Sequence, residues 1–208
     1  MRKSFLWKTI LPVCLATRTV GFGIFWVSPS PILRYEATLI VPSSPPTIPG
    51  IINHSSIWPG LQPSPTDAVL QNVIADMTGN WSFWPEFCCS PDTHLQDEQD
   101  VFTGDLVTSI FTKNTTSGIW TDSTIITRGS IGTAAGFPPF QGSFTFDPSQ
   151  YGTHNEYTMA LVDVEIHNNG TWNYGTVSFQ NLIIESQTIE TDWCLKFVSR
   201  FPKKNDMS

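Results

Sequence analysis

Short runs of apolar and polar residues recur along the chain, separated by turn formers. Residues 105–113 (DLVTSIFTK) alternate throughout, the period of a strand with one buried face. Residues 118–127 (GIWTDSTIIT) are rich in β-branched side chains, which suit a pleated surface. Residues 69–74, 81–87, 142–146, 157–166 and 175–185 complete the predicted strands. Between them stand Thr78-Gly79-Asn80, Asn114-Thr-Thr-Ser-Gly118, Pro138-Pro139 and Asn168-Asn-Gly170, all turn chemistry. No convincing amphipathic helix, internal repeat or phosphate-cradling glycine loop interrupts this series. Many short strands with such punctuation predict an all-β antiparallel sandwich or barrel.

Composition agrees. Of 208 residues, 40% are hydrophobic, 12% aromatic and only 14% charged, enough for a core and poor in strong helix formers. The net charge of -7 and the lack of basic patches argue against nucleic-acid partners. An acidic chain with few cations folds more easily when its carboxylates are partly protonated, which suits acidic surroundings.

Arg2 and Lys3 precede the apolar residues 9–16, with a second apolar stretch at 20–27. Residues 1–27 therefore read as a secretory signal peptide, or as a signal anchor in contact with a membrane. Residues 28–50 hold six prolines and read as an extended linker or arm. The sandwich domain is expected over 51–200, with a polar tail at 201–208. Sequons at Asn53, Asn80, Asn114 and Asn169 fit secretion and glycosylation. So do the cysteines: Cys194 is expected to bond Cys88 or Cys89. His54, His94, His154 and His167 are scattered without ligand spacing, so neither a metal nor another cofactor is expected.

The densest chemistry lies between Trp58 and Cys89. Gln71 sits in the apolar run Ala68-Val-Leu-Gln-Asn-Val-Ile74. Glu86 sits among Trp81, Phe83, Trp84 and Phe87. An amide and an acid in apolar company suit general acid–base work, because burial raises a carboxyl pKa. Two polar residues satisfying backbone groups on a sheet are the plainer alternative. The tryptophans could form a sugar-stacking platform, although the segment supplies one carboxylate where a retaining glycosidase needs two.

The order of short motifs resembles that of the fungal glutamic peptidases, the eqolisins. The motifs are Trp58-Pro-Gly60-Leu61, Val69-Leu70-Gln71, Trp84-Pro-Glu86-Phe87, Gly104-Asp105, Ser117-Gly118-Ile-Trp120, Met159-Ala-Leu-Val-Asp163 and Tyr174-Gly-Thr-Val177. The resemblance spans about residues 55–185. It implies a concanavalin A-like (jelly-roll) sandwich of two bent antiparallel sheets with a concave face. It also implies a glutamine and glutamate dyad, and Gln71 matches the glutamine. The glutamate position falls on Thr158 or Met159, neither of which transfers a proton at useful pH. Glu156, Asp163 and Glu165 are the nearby candidates for a replacement. Glu86 matches a second acid lining the family's cleft, and Trp58 and Trp84 match its aromatic wall, with Phe87 beside them as a further substrate contact.

Three functions follow as expectations. The first is a secretory-pathway enzyme turned to acid–base chemistry on a small molecule, such as an epoxide or ester hydrolase or a cyclase of fungal secondary metabolism. The second is a secreted acid glutamic endopeptidase acting on peptides. The third is a non-catalytic glycan-binding module.

Overall fold

Alternation along the chain decides which face each strand buries. The computed structural model describes residues 20–43, 55–63, 68–76, 79–88, 93–151, 156–167, 172 and 174–200. In chain order the strands are β1 (Val20–Val27), β2 (Ile32–Ile40), β3 (Ser55–Gln62), β4 (Val69–Asp76), β5 (Trp81–Cys88), β6 (Thr93–His94), β7 (Gln99–Val101), β8 (Leu106–Lys113) and β9 (Trp120–Thr127). A short helix, α1 (Ser130–Ala134), precedes β10 (Phe140–Phe146), β11 (Met159–Ile166), β12 (Ser178–Ser186) and β13 (Phe197–Arg200).

These strands form two antiparallel sheets. The larger has the order β13-β1-β11-β3-β4-β5-β6, with β7 also pairing β5. The smaller has the order β10-β9-β8-β2-β12. Together they make a concanavalin A-like β-sandwich. No helix of the described residues is long and apolar enough to cross a membrane.

Two apolar clusters fill the space between the sheets. Leu61, Leu70, Phe87, Phe111, Trp120 and Phe146 belong to one, and Ile57, Ile74, Phe83, Val107 and Ile126 to the other. Burying each such side chain contributes about 1.5–3 kcal/mol before conformational entropy is set against it. Between the clusters runs a polar row. On β4, Asn72 separates Leu70 from Ile74; on β8, Ser109 separates Val107 from Phe111; on β9, Asp122 and Thr124 separate Trp120 from Ile126.

The Gly104-Asp105 motif is a structural clamp. Gly104 takes a φ of 84°, which suits a residue without Cβ. The buried Asp105 carboxylate accepts hydrogen bonds from Phe102 N (3.1 Å), Gly129 N (2.7 Å) and the Arg128 guanidinium (2.8 Å). The Ser117-Gly118 motif turns the β8–β9 hairpin, with Gly118 at a φ of 76° and Asn114 Oδ1 accepting from Thr116 N and Ser117 N.

Several sequence expectations change here. Residues 20–27 are not part of a segment separate from the domain: β1 pairs with both β11 and β13. Residues 28–50 are not simply a linker, since β2 lies inside the smaller sheet between β8 and β12. The prolines misled because they cluster outside the proline-free run 32–41, whose Tyr35, Ala37 and Leu39 are core. The Trp58-Pro-Gly60 motif lies within strand β3. Cys194 is a free thiol, while Cys88 is disulfide-bonded, so the expected bridge to Cys194 is not formed. Residues 1–19, the rest of the expected leader, and the sequons at Asn53 and Asn169 lie outside the described residues; Asn80 and Asn114 are exposed.

Candidate functional site

Even and odd positions of the larger sheet face opposite ways. On β4, Leu70 and Ile74 pack between the sheets, so Val69, Gln71 and Val73 face outward. On β5, Phe83 and Phe87 pack inward, so Trp84 and Glu86 face outward with Gln71. On β3, Trp58 and Gly60 share that face, and on β11 Leu161, Asp163 and Glu165 do. The register places Gln71 directly opposite Glu86 on one side and Gly60 on the other. Directly opposed residues have Cβ atoms about 4.5–5.5 Å apart, within reach of one small polar substrate group.

These outward side chains are nonetheless sheltered. Gln71, Trp58 and Trp84 are each 5% exposed, and Glu86 and Asp163 are each 9%. Glycine opens the floor beside the pair. A Cβ at Gly60 would stand 3.0 Å from Val69 Cγ1 and 3.2 Å from Gln71 Cβ, so any larger residue would crowd the amide.

Two tryptophans each hold a carboxylate. Trp84 Nε1 donates to Glu86 Oε2 at 2.8 Å. Trp58 Nε1 and Ser56 Oγ both donate to Glu165 Oε2 at 3.2 Å. His167 Nε2 lies 3.6 Å from the same oxygen. Burial pushes the Glu165 carboxyl up, but the bonds from His167, Trp58 and Ser56 and the nearby imidazole charge outweigh it and bring it below its usual value. Asp163 leans toward β1, where Gly23 leaves room for its Oδ2: a Cβ there would lie 3.0 Å away.

The residues named from sequence therefore divide. Gln71, Glu86, Trp58, Trp84, Asp163 and Glu165 come together on one face. Glu156 does not: it pairs with Lys113 of the smaller sheet at 2.8 Å. Phe87 does not either, since it is fully buried between the sheets against Phe146 and Tyr151. Adjacent strand residues point to opposite faces, so Glu86 and Phe87 cannot both line the cleft. Met159 opens β11 on the face shared with Leu161, at the place where the resemblance calls for an acid. His94 was missed. It lies directly opposite Glu86 on β6 and stacks on Trp84 at 4.8 Å between ring centroids. A two-residue strand leaves no period to read; proximity in sequence to Glu86 was the one available signal.

No group of three or more His, Cys, Asp or Glu among the described residues could hold a metal ion.

Fold and face together define a two-sheet, concanavalin-like sandwich with a sheltered, carboxylate-bearing outer face on its larger sheet. The sandwich, as a fold, is shared with solved peptidases. The chain is similar to SCP-B, a member of the eqolisin family of peptidases solved with the tripeptide Ala-Ile-His: TM-score 0.54 and 13% identity, covering 90% of this chain and 88% of that one. It is also similar to scytalido-glutamic peptidase, solved with a transition-state analogue inhibitor: TM-score 0.54 and 15% identity, covering 89% and 88%. No protein-family model and no curated protein matches the sequence. The resemblance read from the motifs thus holds at the level of the eqolisin-like fold, and the chemistry has to be argued from the site.

Proposed function

We propose that the chain is an enzyme of eqolisin-like fold that performs general acid–base chemistry on a small molecule at Gln71 and Glu86. The observation that carries this reading is their placement directly opposite each other on a face where both are at least nine-tenths buried. Glu86 takes a proton from water as the water oxygen bonds to an ester carbonyl carbon or an epoxide carbon. It then returns that proton to the departing or opening oxygen, so the carboxylate is regenerated. The Gln71 amide N–H stabilises the charge that develops on oxygen. Trp84 fixes the Glu86 carboxylate through its indole N–H, and His94 packs on the indole. Cyclisation by protonation of an epoxide uses the same acid without the water.

The low exposure of the face favours a small substrate over a polymer. An extended polypeptide needs an open groove, and Thr158 and Met159 present no acid where the dyad partner is expected. A peptidase reading would have to use Asp163 or Glu165, both of which share the face with Gln71. Passage through a secretory pathway and glycosylation at the exposed Asn80 and Asn114 belong to the same proposal.

A panel of chromogenic esters and aryl epoxides, read from pH 3 to 8, tests it together with digestion of a denatured protein at low pH. Glu86→Gln and Gln71→Ala should each lower kcat on any accepted small substrate by about 10²–10⁴ and 10²–10³ respectively. The circular dichroism spectrum should be unchanged. Unaltered turnover in both variants rejects the pair as the site. Cleavage of the denatured protein, abolished by Gln71→Ala, replaces the small-molecule reading with the peptidase one. Glycan binding without any turnover replaces both.

A further inference from the structure

The polar row between the two sheets has no part in the chemistry above. Asn72 Nδ2 of β4 donates to Asp122 Oδ1 of β9 at 3.0 Å, linking the sheets through the middle of the core. The two residues are 1% and 0% exposed. The other oxygens of the pair, Asn72 Oδ1 and Asp122 Oδ2, have no hydrogen-bond partner among the described residues. The same is true of Ser109 Oγ and Thr124 Oγ1, which stand directly opposite each other in the β8–β9 ladder. While the carboxyl is ionised, Asn72 Oδ1 and Asp122 Oδ2 are both acceptors and cannot satisfy each other. One proton on Oδ2 makes it a donor. The amide and acid can then exchange two hydrogen bonds, or Oδ2 can donate to a neighbouring hydroxyl.

Among the described residues, the Asn72 hydrogen bond is the one influence that lowers the Asp122 carboxyl against its burial. The ionisable groups of the surrounding core are Lys113, Tyr35, Tyr157 and Tyr174, with Tyr151 packed against its edge. Lys113 is engaged with Glu156 at 2.8 Å, and Tyr35 donates to Leu161 O at 3.0 Å. Tyr157 packs edge-on to Trp120. A buried carboxylate without a counter-charge costs far more than a neutral acid.

We propose that the midline of the sandwich is a built proton site, in which Asp122 holds a proton between the sheets and makes the fold acid-stabilised. Burial pushes the Asp122 carboxyl up to about 8, against the lowering effect of the Asn72 hydrogen bond. The raised folded value sets the sign. Stability from this group is fully present below the unfolded value of about 4 and is lost as pH rises to the folded value. The site is independent of Gln71 and Glu86, so its failure would leave the proposed function standing.

Urea unfolding of wild type and Asp122→Asn from pH 4 to 9 tests the site. The difference between the two should fall by up to about tenfold in the folding equilibrium constant per pH unit until about pH 8, then level off. A difference that is flat, or that grows with pH, overturns the proposal. So does a rise in wild-type stability on adding sodium or calcium that Asp122→Asn lacks, which would make the site a cation site. If Asp122→Asn does not fold, carbon-13 aspartate labelling of the wild type decides. One carboxyl should stay protonated above pH 6, and its absence contradicts the proposal.

Discussion

Strand β4 carries two amides back to back, and each faces a carboxyl. Gln71 points to the outer face and meets Glu86 of the neighbouring strand; Asn72 points into the core and meets Asp122 of the other sheet. The chemistry of the two pairs is nearly the same, and their surroundings separate them. The outer pair has an indole donor, a nearby imidazole and a glycine floor. The inner pair is sealed among apolar clusters with unpartnered oxygens around it. Residue type alone therefore says little about function here. On the proposed reading, access and the supply of donors separate a pair that turns over a substrate from one that holds a proton.

A third buried carboxyl, Asp105, sharpens the contrast and carries the largest expected effect on stability. It has a buried cationic partner in Arg128 and two backbone donors, where Asp122 has a single amide. Arg128→Ala leaves that charge uncompensated and should cost about 3–5 kcal/mol in urea unfolding at pH 7. A cost below about 1 kcal/mol would mean that Asp105 is not held as a charge.

Next in size is Trp84→Phe, which keeps the aromatic face and removes the indole donor to Glu86. A hydrogen bond to a charged group contributes about 1.5–3 kcal/mol, so urea unfolding should ease by about that much, and turnover should fall as well because Glu86 loses the donor that fixes its carboxylate. Wild-type turnover alongside that loss of stability would make Trp84 a packing residue only.

A smaller effect with the opposite pH sign is expected at Glu165. Its folded value is lowered, so its contribution is present above the unfolded value and lost as pH falls through the folded one. Glu165→Gln should flatten the acid side of the stability profile and leave the alkaline side unchanged. A change confined to the alkaline side would contradict the hydrogen bonds assigned to it.

The sequence was most legible where one face of a strand is buried and the other solvated. The alternation of β8 and β9 is that case, and the predicted runs at 105–113 and 118–127 overlap both strands. It was least legible at β1 and β2. The apolar VGFGIFWV of β1 reads equally well as a leader, because hydrophobicity does not say which partner will cover it. At the site, Gln71 and Glu86 stood out because polar residues in apolar runs need a reason. Phe87 was misplaced although strand parity already assigns it to the face opposite Glu86. Glu156 precedes β11, so no alternation fixed its direction, and Lys113 on the other sheet claims it. The Asn72–Asp122 contact joins residues 50 positions apart, and no local pattern announces a meeting between sheets.

The most direct test of the outer pair as the proposed site is the kcat of Glu86→Gln beside that of Asp122→Asn, on one accepted ester or epoxide at pH 5, with the fold of each variant checked by circular dichroism. Loss of about 10²–10⁴ in Glu86→Gln with near wild-type turnover in Asp122→Asn is the predicted result. Turnover that survives in Glu86→Gln and collapses in Asp122→Asn would contradict it.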